Sequence, residues 1–384
     1  MIDSITFIIS IVTVVQLFLF SFFLLTQKKT KKQSFNFLSF FLLANALYIL
    51  DFLLPQIGEF INYSFVNIYF IGGSCGFLFG PLLYIYTKSI TFGDSKIIFK
   101  DLLHALPFIA YNILMLFDYY LLGYDVKINL LRAGHLFPSW LSFFVTVFMN
   151  VQIFVYIIAS LFILFEFRRE VKKYYSSVES LNLSWLEWVL YAFIIMWLID
   201  LVHYLVFETI GGSIIFFQVL NFLSLLINFV FANVIIFKSL KHPEIFVEFK
   251  EKNRSKYEKS SLTRDESENY RSKLIEYMKN EKPYLIPSLS IGELSGKLEI
   301  PVKYLSQIIN ESFNQNFFDF INGFRIEEAK NILSDMQNRK KTILEVLYEV
   351  GFNSKSVFNT AFKKHTGITP SEFKKSILTS SKAS

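Results

Sequence analysis

The sequence predicts an all-α protein in two parts: a seven-helix transmembrane bundle followed by a cytoplasmic, all-helical domain with two helix-turn-helix units. Three observations predict it. Long apolar stretches fill residues 1–237, short amphipathic helices fill residues 263–375, and the net charge is confined to the C-terminal third. The chain is 53% hydrophobic and only 18% charged, whereas soluble domains usually carry about 25% charged residues. This composition excludes a disordered chain and argues against a single soluble globule.

The charge divides the chain in the same way. Residues 1–237 hold 13 Lys and Arg against 13 Asp and Glu, and residues 238–384 hold 25 against 19. The whole formal charge of +6 therefore lies in the C-terminal third, where it favours an anionic partner such as nucleic acid or anionic lipid. A single cysteine, Cys75, excludes an internal disulfide framework and a cysteine-cluster metal site.

Seven stretches in the N-terminal part approach the roughly 20 apolar residues that a helix needs to cross a bilayer. They lie near Ile5–Thr26, Phe35–Leu54, Phe65–Thr87, Leu102–Leu122, Trp140–Phe165, Trp185–Phe207 and Ile214–Phe237. The fourth is the weakest, because His104, Pro107, Asn112 and Asp118 interrupt it. The first is a span rather than a removed signal peptide, since no basic residue precedes it and it has no small-residue cleavage site.

The loops between these spans predict their orientation. Loops after the first, third and fifth spans carry 11 Lys and Arg, and the alternate loops carry only Lys127 and Arg132. Because basic loops stay in the cytoplasm, the N-terminus is expected outside and the basic domain inside. The protein is therefore predicted to be a multi-pass protein of a bacterial cytoplasmic membrane, with the lipid bilayer as one partner.

Polar residues in the spans suggest a signal-binding pocket. Asp51, Asp118, Asp200 and His203 all fall in the predicted outer half, and ionisable groups within a bilayer are costly. One interpretation is a pocket for a small-molecule or peptide signal; the other is a set of interfacial groups that reach water or pair together. Asp200 and His203 alone are too few for a metal site.

Three glycines, Gly72, Gly76 and Gly80, recur at a spacing of four in the third stretch. Small residues at that spacing let helix backbones approach closely. The stripe predicts either packing within the bundle or a functional role, as the seam of a homodimer or as a gate.

No signature of an enzyme is present. The chain lacks the H-E-x-x-H, G-x-S-x-G and P-loop motifs, so we predict no catalytic residue, metal or cofactor. Residues 238–262 are polar and mixed in charge, and they predict a juxtamembrane linker.

Helix-start signals order the C-terminal domain. Thr263, Ser290 and Thr342 are each followed three residues later by Glu, which is the capping-box pattern. The first predicted helix opens at Thr263 and runs to Lys282, and the second opens at Ser290 and runs to Leu298. The third begins with Pro301 as its first helical residue, and the fourth covers Phe317–Ser334. Three further helices begin at Thr342, Ser354 and Thr369. This order predicts two helix-turn-helix units joined by a connecting helix, with a flexible tail over residues 376–384.

Residues Ile343–Phe373 carry a more specific motif. They contain Gly-Phe, a Ser, a Phe, Phe-Lys-Lys, a Gly and Thr-Pro-Ser followed by an aromatic residue, and they resemble the second unit of AraC/XylS-type transcription regulators. Tyr304–Asn310, Phe318, Phe324-Arg325 and Ala329 are similar to the first unit. Leu347 and Ser295 depart from the family, which usually has Ala at those positions. The resemblance implies double-stranded DNA as a partner, with a membrane body in place of the usual soluble sensing domain.

The second helix of each unit is expected to enter the major groove. After the apolar stripe is removed, the outward residues are Lys303, Ser306, Gln307 and Asn310 in the first unit and Lys355, Ser356, Asn359, Thr360 and Lys363 in the second, and the family resemblance selects the same faces. Lys340, Lys341, Lys364, Lys374 and Lys375 are better suited to phosphate. Arg325 is interpreted as a structural residue, and Asp319 as ordinary surface charge.

Together these features predict a membrane-bound, sequence-specific DNA-binding transcription regulator that senses its own signal. The alternative is a membrane receptor or transporter whose helical tail binds protein.

Overall fold

A computed structural model describes residues 2–26, 32–57, 63–92, 99–133, 139–177, 183–210, 214–241 and 262–383. No β-strand occurs among these residues, which confirms the predicted all-α class. They form two compact units: residues 1–165 with 183–251, and residues 166–182 with 252–384. The sequence assigns residues 166–182 to the N-terminal domain, but their described part packs against the C-terminal helices. Most of the predicted linker, residues 242–261, lies outside the described residues.

The first unit is built from apolar helices. They are α1 (Ile2–Thr26), α2 (Lys32–Ile57), α3 (Ile71–Ser74), α4 (Gly76–Phe92), α5 (Phe99–Leu102), α6 (Leu106–Met115), α7 (Tyr124–Ala133), α8 (Ser139–Tyr174, whose last residues belong to the second unit), α9 (Ser184–Ile210) and α10 (Ile214–Lys241). Helix α1 packs on α2 and α10, α10 on α9, and α2 on α3 and α4.

Four described regions are long and apolar enough to cross a membrane: Ser4–Thr26, Ser34–Leu54, Val66–Thr91 and Trp140–Tyr174. The stretch that the sequence marks as weakest is a broken pair, Leu103–Tyr120 and Tyr124–Arg132, bent by 105°. Counting that pair as one span makes five, and α9 and α10 contain shorter apolar segments. Seven spans therefore remain a prediction.

Small residues hold the first unit's helices close together. The hydroxyls of Ser21 and Ser39 lie 2.7 Å apart across α1 and α2. A Cβ placed on Gly72 would overlap the carbonyl oxygen of Leu47, and one on Gly80 would lie 2.8 Å from the Tyr156 ring. The glycine stripe thus packs against α2 and α8 of the same chain, which supports the first of its two interpretations.

Within the described residues 262–383, the second unit contains seven α-helices with sharply defined starts. They are α11 (Arg264–Asn280), α12 (Ile291–Leu298), α13 (Val302–Phe313), α14 (Phe317–Ser334), α15 (Ile343–Glu349), α16 (Lys355–Thr366) and α17 (Pro370–Ala383). The three capping boxes at Thr263, Ser290 and Thr342 are confirmed, each with both reciprocal hydrogen bonds.

Three boundaries differ from the sequence prediction. Helix α11 ends at Asn280, two residues before the predicted end at Lys282. Pro301 is the N-cap of α13 with extended backbone (ψ 138°), not its first helical residue. Helix α17 continues to Ala383, so residues 376–383 are helical where a flexible tail is predicted.

Helix α14 is shared by two hydrophobic cores. Its N-terminal half supplies Phe317, Phe320 and Ile321 to a core with α11, α12 and α13. Its C-terminal half supplies Ile326, Ala329 and Leu333 to a core with α15 and α16. Leu347, bulkier than the Ala usual in the family, is fully buried in this second core. One helix therefore carries both helix pairs, α12–α13 and α15–α16.

Two glycines predict opposite effects of the same substitution. Gly351 has a φ of +87°, and a Cβ there would lie 2.7 Å from the Leu285 carbonyl oxygen, whereas a Cβ on Gly296 within α12 meets nothing. We expect Gly351→Ala to destabilise α15 by about 1–2 kcal/mol or more. We expect Gly296→Ala to stabilise α12 by about 0.5–1 kcal/mol. Hydrogen exchange of the α12 and α15 amides in the full chain measures both; a stabilising Gly351→Ala would contradict the close approach.

Candidate nucleic-acid interface

The first helix pair, α12–α13, presents a polar face on α13. Glu299 ends α12 in the left-handed conformation (φ 54°), which turns the chain before Pro301. Helix α13 buries Leu305, Ile308 and Ile309. This packing leaves Lys303 and Asn310 exposed and Ser306 and Gln307 half-buried, so all four predicted residues lie on the open side of the helix.

The amides on this face are held against their own helix. The Gln307 side chain donates to the Glu311 carboxylate at 3.1 Å, and Asn310 donates to the Ser306 carbonyl at 2.8 Å. Asn and Gln can bond an adenine edge with two hydrogen bonds. To do so, these two side chains must exchange an intrahelical partner for a base.

The second helix pair, α15–α16, follows the same plan. The Ser354 hydroxyl accepts from the Val357 amide at the start of α16, and Phe358, Ala361 and Phe362 are buried. The opposite side of α16 carries the predicted DNA-facing residues: Lys355, Ser356, Thr360, Lys363 and Lys364 are exposed, and Asn359 is half-buried. Each helix pair therefore displays a polar face opposite its core, with one lysine on α13 and three on α16.

Some predicted phosphate contacts already have partners. The ammonium of Lys364 lies 2.8 Å from the Asp319 carboxylate of α14. The ammonium of Lys341 lies 2.8 Å from Glu349, and Lys374 donates to the Lys341 carbonyl. The sequence assigns Asp319 only a surface role, because an ion pair between helices 45 residues apart leaves no local pattern.

Arg325 lies between the two helix pairs and is only 1% exposed. Its guanidinium donates to the carbonyl oxygens of Tyr284 (2.6 Å) and Ile286 (2.8 Å), just before α12, and to Asn322 (3.2 Å) on its own helix. The ring of Phe352, in the turn of the second pair, lies 5.5 Å from its central carbon. Burial of this side chain agrees with its interpretation as a structural residue.

Tyr284, in the turn before α12, adds a second contact between that turn and α14. Its ring stacks on Phe324 at 5.5 Å, and its hydroxyl donates to Glu328 at 3.2 Å. Burial, with a smaller contribution from Glu328, raises the pKa of Tyr284 to about 12. The phenol therefore stays protonated as a donor at neutral pH.

The residues of the predicted signal pocket are only partly described. Asp51 accepts hydrogen bonds from the amides of Phe70 (2.7 Å) and Gly73 (2.9 Å), so it caps the start of α3. Asp118 lies exposed in a π-helical turn. The side chains of Asp200 and His203 lie outside the described part. The pocket remains a prediction, and among the described residues no group of three or more His, Cys, Asp or Glu could hold a metal.

Comparison with known proteins identifies the C-terminal helices. Residues 294–376 match the family model described as a helix-turn-helix domain. An HTH-type transcriptional regulator of Pseudoalteromonas carrageenovora is 34% identical over 87 residues, which are 23% of this chain and 49% of that protein. The Msm operon regulatory protein of Streptococcus mutans is 32% identical over 90 residues (23% of this chain, 31% of that protein). The melibiose operon regulatory protein of Escherichia coli is 26% identical over 88 residues (23% and 28%).

These matches define one domain, not the whole protein. The chain spans about half the length of the first relative and about a third of the second. No solved structure matches the chain significantly. The C-terminal helices are a helix-turn-helix domain of the AraC type, as the residue motif predicts.

The capping box of α15 predicts a pH dependence. The Thr342 amide and then its hydroxyl hold the pKa of Glu345 below the ordinary 4.5. A carboxyl whose pKa is lowered by folding stabilises the fold above its unfolded pKa, and that contribution disappears as pH falls through the folded value. We therefore expect α15 amide protection in the wild-type chain to fall below pH 4.5 more steeply than in Glu345→Gln.

The control is Glu349→Gln, which removes a carboxylate from the same helix but outside the capping box. Protection factors from hydrogen exchange, corrected for intrinsic rates, provide the measurement. Equal pH profiles for wild type and Glu345→Gln would contradict the role given to the box.

Proposed function

We propose that the protein is a membrane-bound transcription regulator that combines its sensor and its DNA-binding domain in one chain. The N-terminal unit lies in the bacterial cytoplasmic membrane and responds to a small-molecule or peptide signal. The C-terminal unit binds double-stranded DNA in the cytoplasm, and a second copy of the chain would occupy an adjacent half-site.

The observation that carries the proposal is the pair of polar faces on an AraC-type helix-turn-helix domain. Major-groove recognition uses a helix whose Asn, Gln and Lys side chains reach base edges. Helices α13 and α16 each present such side chains opposite a buried stripe. Two proteins similar to this domain are named as operon regulatory proteins, and those names support the same function.

The membrane location is supported by apolar side chains that point away from the first unit's core. Leu19 is 67% exposed, Phe162 71% and Phe165 75%. Burying apolar surface is favourable by roughly 25 cal/mol per Å², so a lipid environment would remove the cost of these side chains. The excess of Lys and Arg in alternate loops supports a cytoplasmic DNA-binding domain.

One experiment tests both parts of the proposal. Protein and DNA are cross-linked in intact host cells, the membrane fraction is isolated, and the DNA recovered with the full-length protein is sequenced. We expect discrete promoter fragments in the membrane fraction. Uniform recovery of the genome, or recovery only from the soluble fraction, would overturn the proposal.

Base-reading and phosphate-binding residues are expected to behave differently. Asn359→Ala should weaken binding to the recovered fragment by about 1–3 kcal/mol and relax its sequence preference. Lys340→Ala should weaken binding to all sequences alike and reduce the salt slope by about 1. Titration of the full chain in nanodiscs at several salt concentrations measures both. Lys279→Ala, an exposed lysine on α11, is the control, and an equal loss in it would contradict the assignment.

The Lys364–Asp319 ion pair predicts a gain of affinity. Asp319→Asn removes the carboxylate that competes with phosphate for Lys364. Because exposed ion pairs are worth about 0.2–1 kcal/mol, we expect DNA to bind about 1.4- to fivefold more tightly. Glu327→Gln makes the same charge change on the same helix but releases Lys330, which is outside the predicted faces. Equal effects of the two variants would show a general charge effect and contradict a phosphate contact by Lys364.

A further inference from the structure

The segment that ends α8 is part of the DNA-binding unit. Residues 166–182 group with the C-terminal helices, although residues 183–263, which hold apolar helices and the linker, follow them in the chain before α11 begins. Of this segment, residues 172–177, here called the clasp, contact three separate elements of that unit. Ser176 and Ser177 are both buried.

The clasp contacts the first helix pair through backbone and side-chain hydrogen bonds. Ser176 donates from its amide (3.0 Å) and its hydroxyl (2.7 Å) to the carbonyl oxygen of Leu289. Tyr175 and Ser290 form an antiparallel bridge immediately before α12. The clasp therefore holds the residue that caps the first helix of this pair.

The clasp also contacts the connecting helix. The Lys172 ammonium lies 5.5 Å from the Phe318 ring centre. The Arg325 guanidinium donates to the Ser176 carbonyl and to its hydroxyl, both at 3.2 Å. A guanidinium has five N–H donors, and two of the hydrogen bonds that Arg325 donates end on the clasp.

The third contact is with the second helix pair. Asn353 donates to the Ser177 hydroxyl at 3.3 Å and to Ser288 at 3.0 Å. Asn353 lies two residues before Lys355, where α16 begins. One short segment thus contacts the start of α12, the middle of α14 and the start of α16.

We propose that the clasp is an intrachain docking element through which the apolar N-terminal unit holds the two helix pairs in one orientation and thereby strengthens DNA binding. This inference rests on the proposed DNA-binding function. It adds the contact that connects the sensor to that function.

The physical argument has two steps. Binding of one DNA site by two helix pairs is weakened by the cost of ordering them, and a contact that orders them beforehand removes part of that cost. Undocking of Ser176 leaves two donors of a buried guanidinium without their acceptors, which is unfavourable. Docking of the clasp and a fixed orientation of the two helix pairs are therefore coupled.

Helix α8 provides the route to the sensor. It is continuous from Ser139 to Tyr174 and ends directly in the clasp. On this proposal, a displacement of α8 in the first unit reaches the clasp along the helix itself. A signal that favours one position of α8 changes the docked fraction by its differential affinity for the two positions.

A reversible cross-link tests the proposal in the full chain. The Ser176 amide bonds to Leu289, so Tyr175 and Ser290 are a non-hydrogen-bonded pair, whose Cα atoms are typically about 4.5 Å apart and within disulfide range. Cys75 is the only native cysteine. The double substitution Tyr175→Cys and Ser290→Cys in a Cys75→Ala background therefore allows one designed disulfide. The oxidised and the reduced protein both lack the cap at Ser290, so its loss does not affect the comparison between them.

Affinity is measured in lipid nanodiscs for the promoter fragment recovered with the wild-type chain. We expect the oxidised protein to bind about tenfold more tightly than the same protein after reduction, within the range usual for coupled sites. Each single-cysteine variant should be insensitive to reduction. Ser176→Val, which removes the hydroxyl from the clasp, should weaken binding, and the disulfide should restore it.

The outcomes separate the two proposals. Equal affinities of the oxidised and reduced forms, weaker binding by the oxidised form, or no rescue of Ser176→Val would overturn the clasp while DNA binding stands. If the wild-type chain recovers no discrete fragment, the DNA-binding function fails, and the clasp fails with it.

Discussion

The buried guanidinium of Arg325 is the interaction on which the C-terminal unit depends. It joins the turn before α12, its own helix and the segment after α8 through hydrogen bonds to neutral oxygens. A buried charge is tolerated only when its donors are satisfied. The carbonyl groups that accept from Arg325 must therefore stay in position around it. This requirement restricts how the two helix pairs can lie on α14.

Close backbone approach provides the second restriction at the same place. The turn at Gly351 lies against the carbonyl of Leu285. The neighbours of Leu285 in the chain, Tyr284 and Ile286, are the residues whose carbonyls accept hydrogen bonds from Arg325. The ring of Phe352, the next residue, lies beside the guanidinium. The second helix pair therefore meets the segment before the first pair through the Gly351 backbone, the Arg325 guanidinium and Leu285, which packs against both apolar cores.

The residues that we propose to read DNA can be predicted from the sequence because helical periodicity separates them from the core. Leu305, Ile308 and Ile309 define the buried stripe of α13, and the opposite face follows from a period of 3.6 residues. The ion pair of Lys364 with Asp319 and the clasp contacts of Ser176 were not accessible in this way. The ion pair joins residues 45 positions apart, and the clasp contacts join residues at least 113 positions apart. The spacing of neighbouring residues therefore does not predict them.

The sequence by itself determined the helical class, the capped helix starts and the outward faces of α13 and α16. It also determined the division into a neutral N-terminal part and a basic C-terminal third. These properties depend on local hydrogen bonding, side-chain periodicity and composition, which are written in neighbouring residues. Only the tertiary structure decided that the end of α8 belongs with the C-terminal helices and that Arg325 connects them. The reason is physical: a buried donor can be satisfied by any carbonyl in the chain, and folding alone selects which one reaches it.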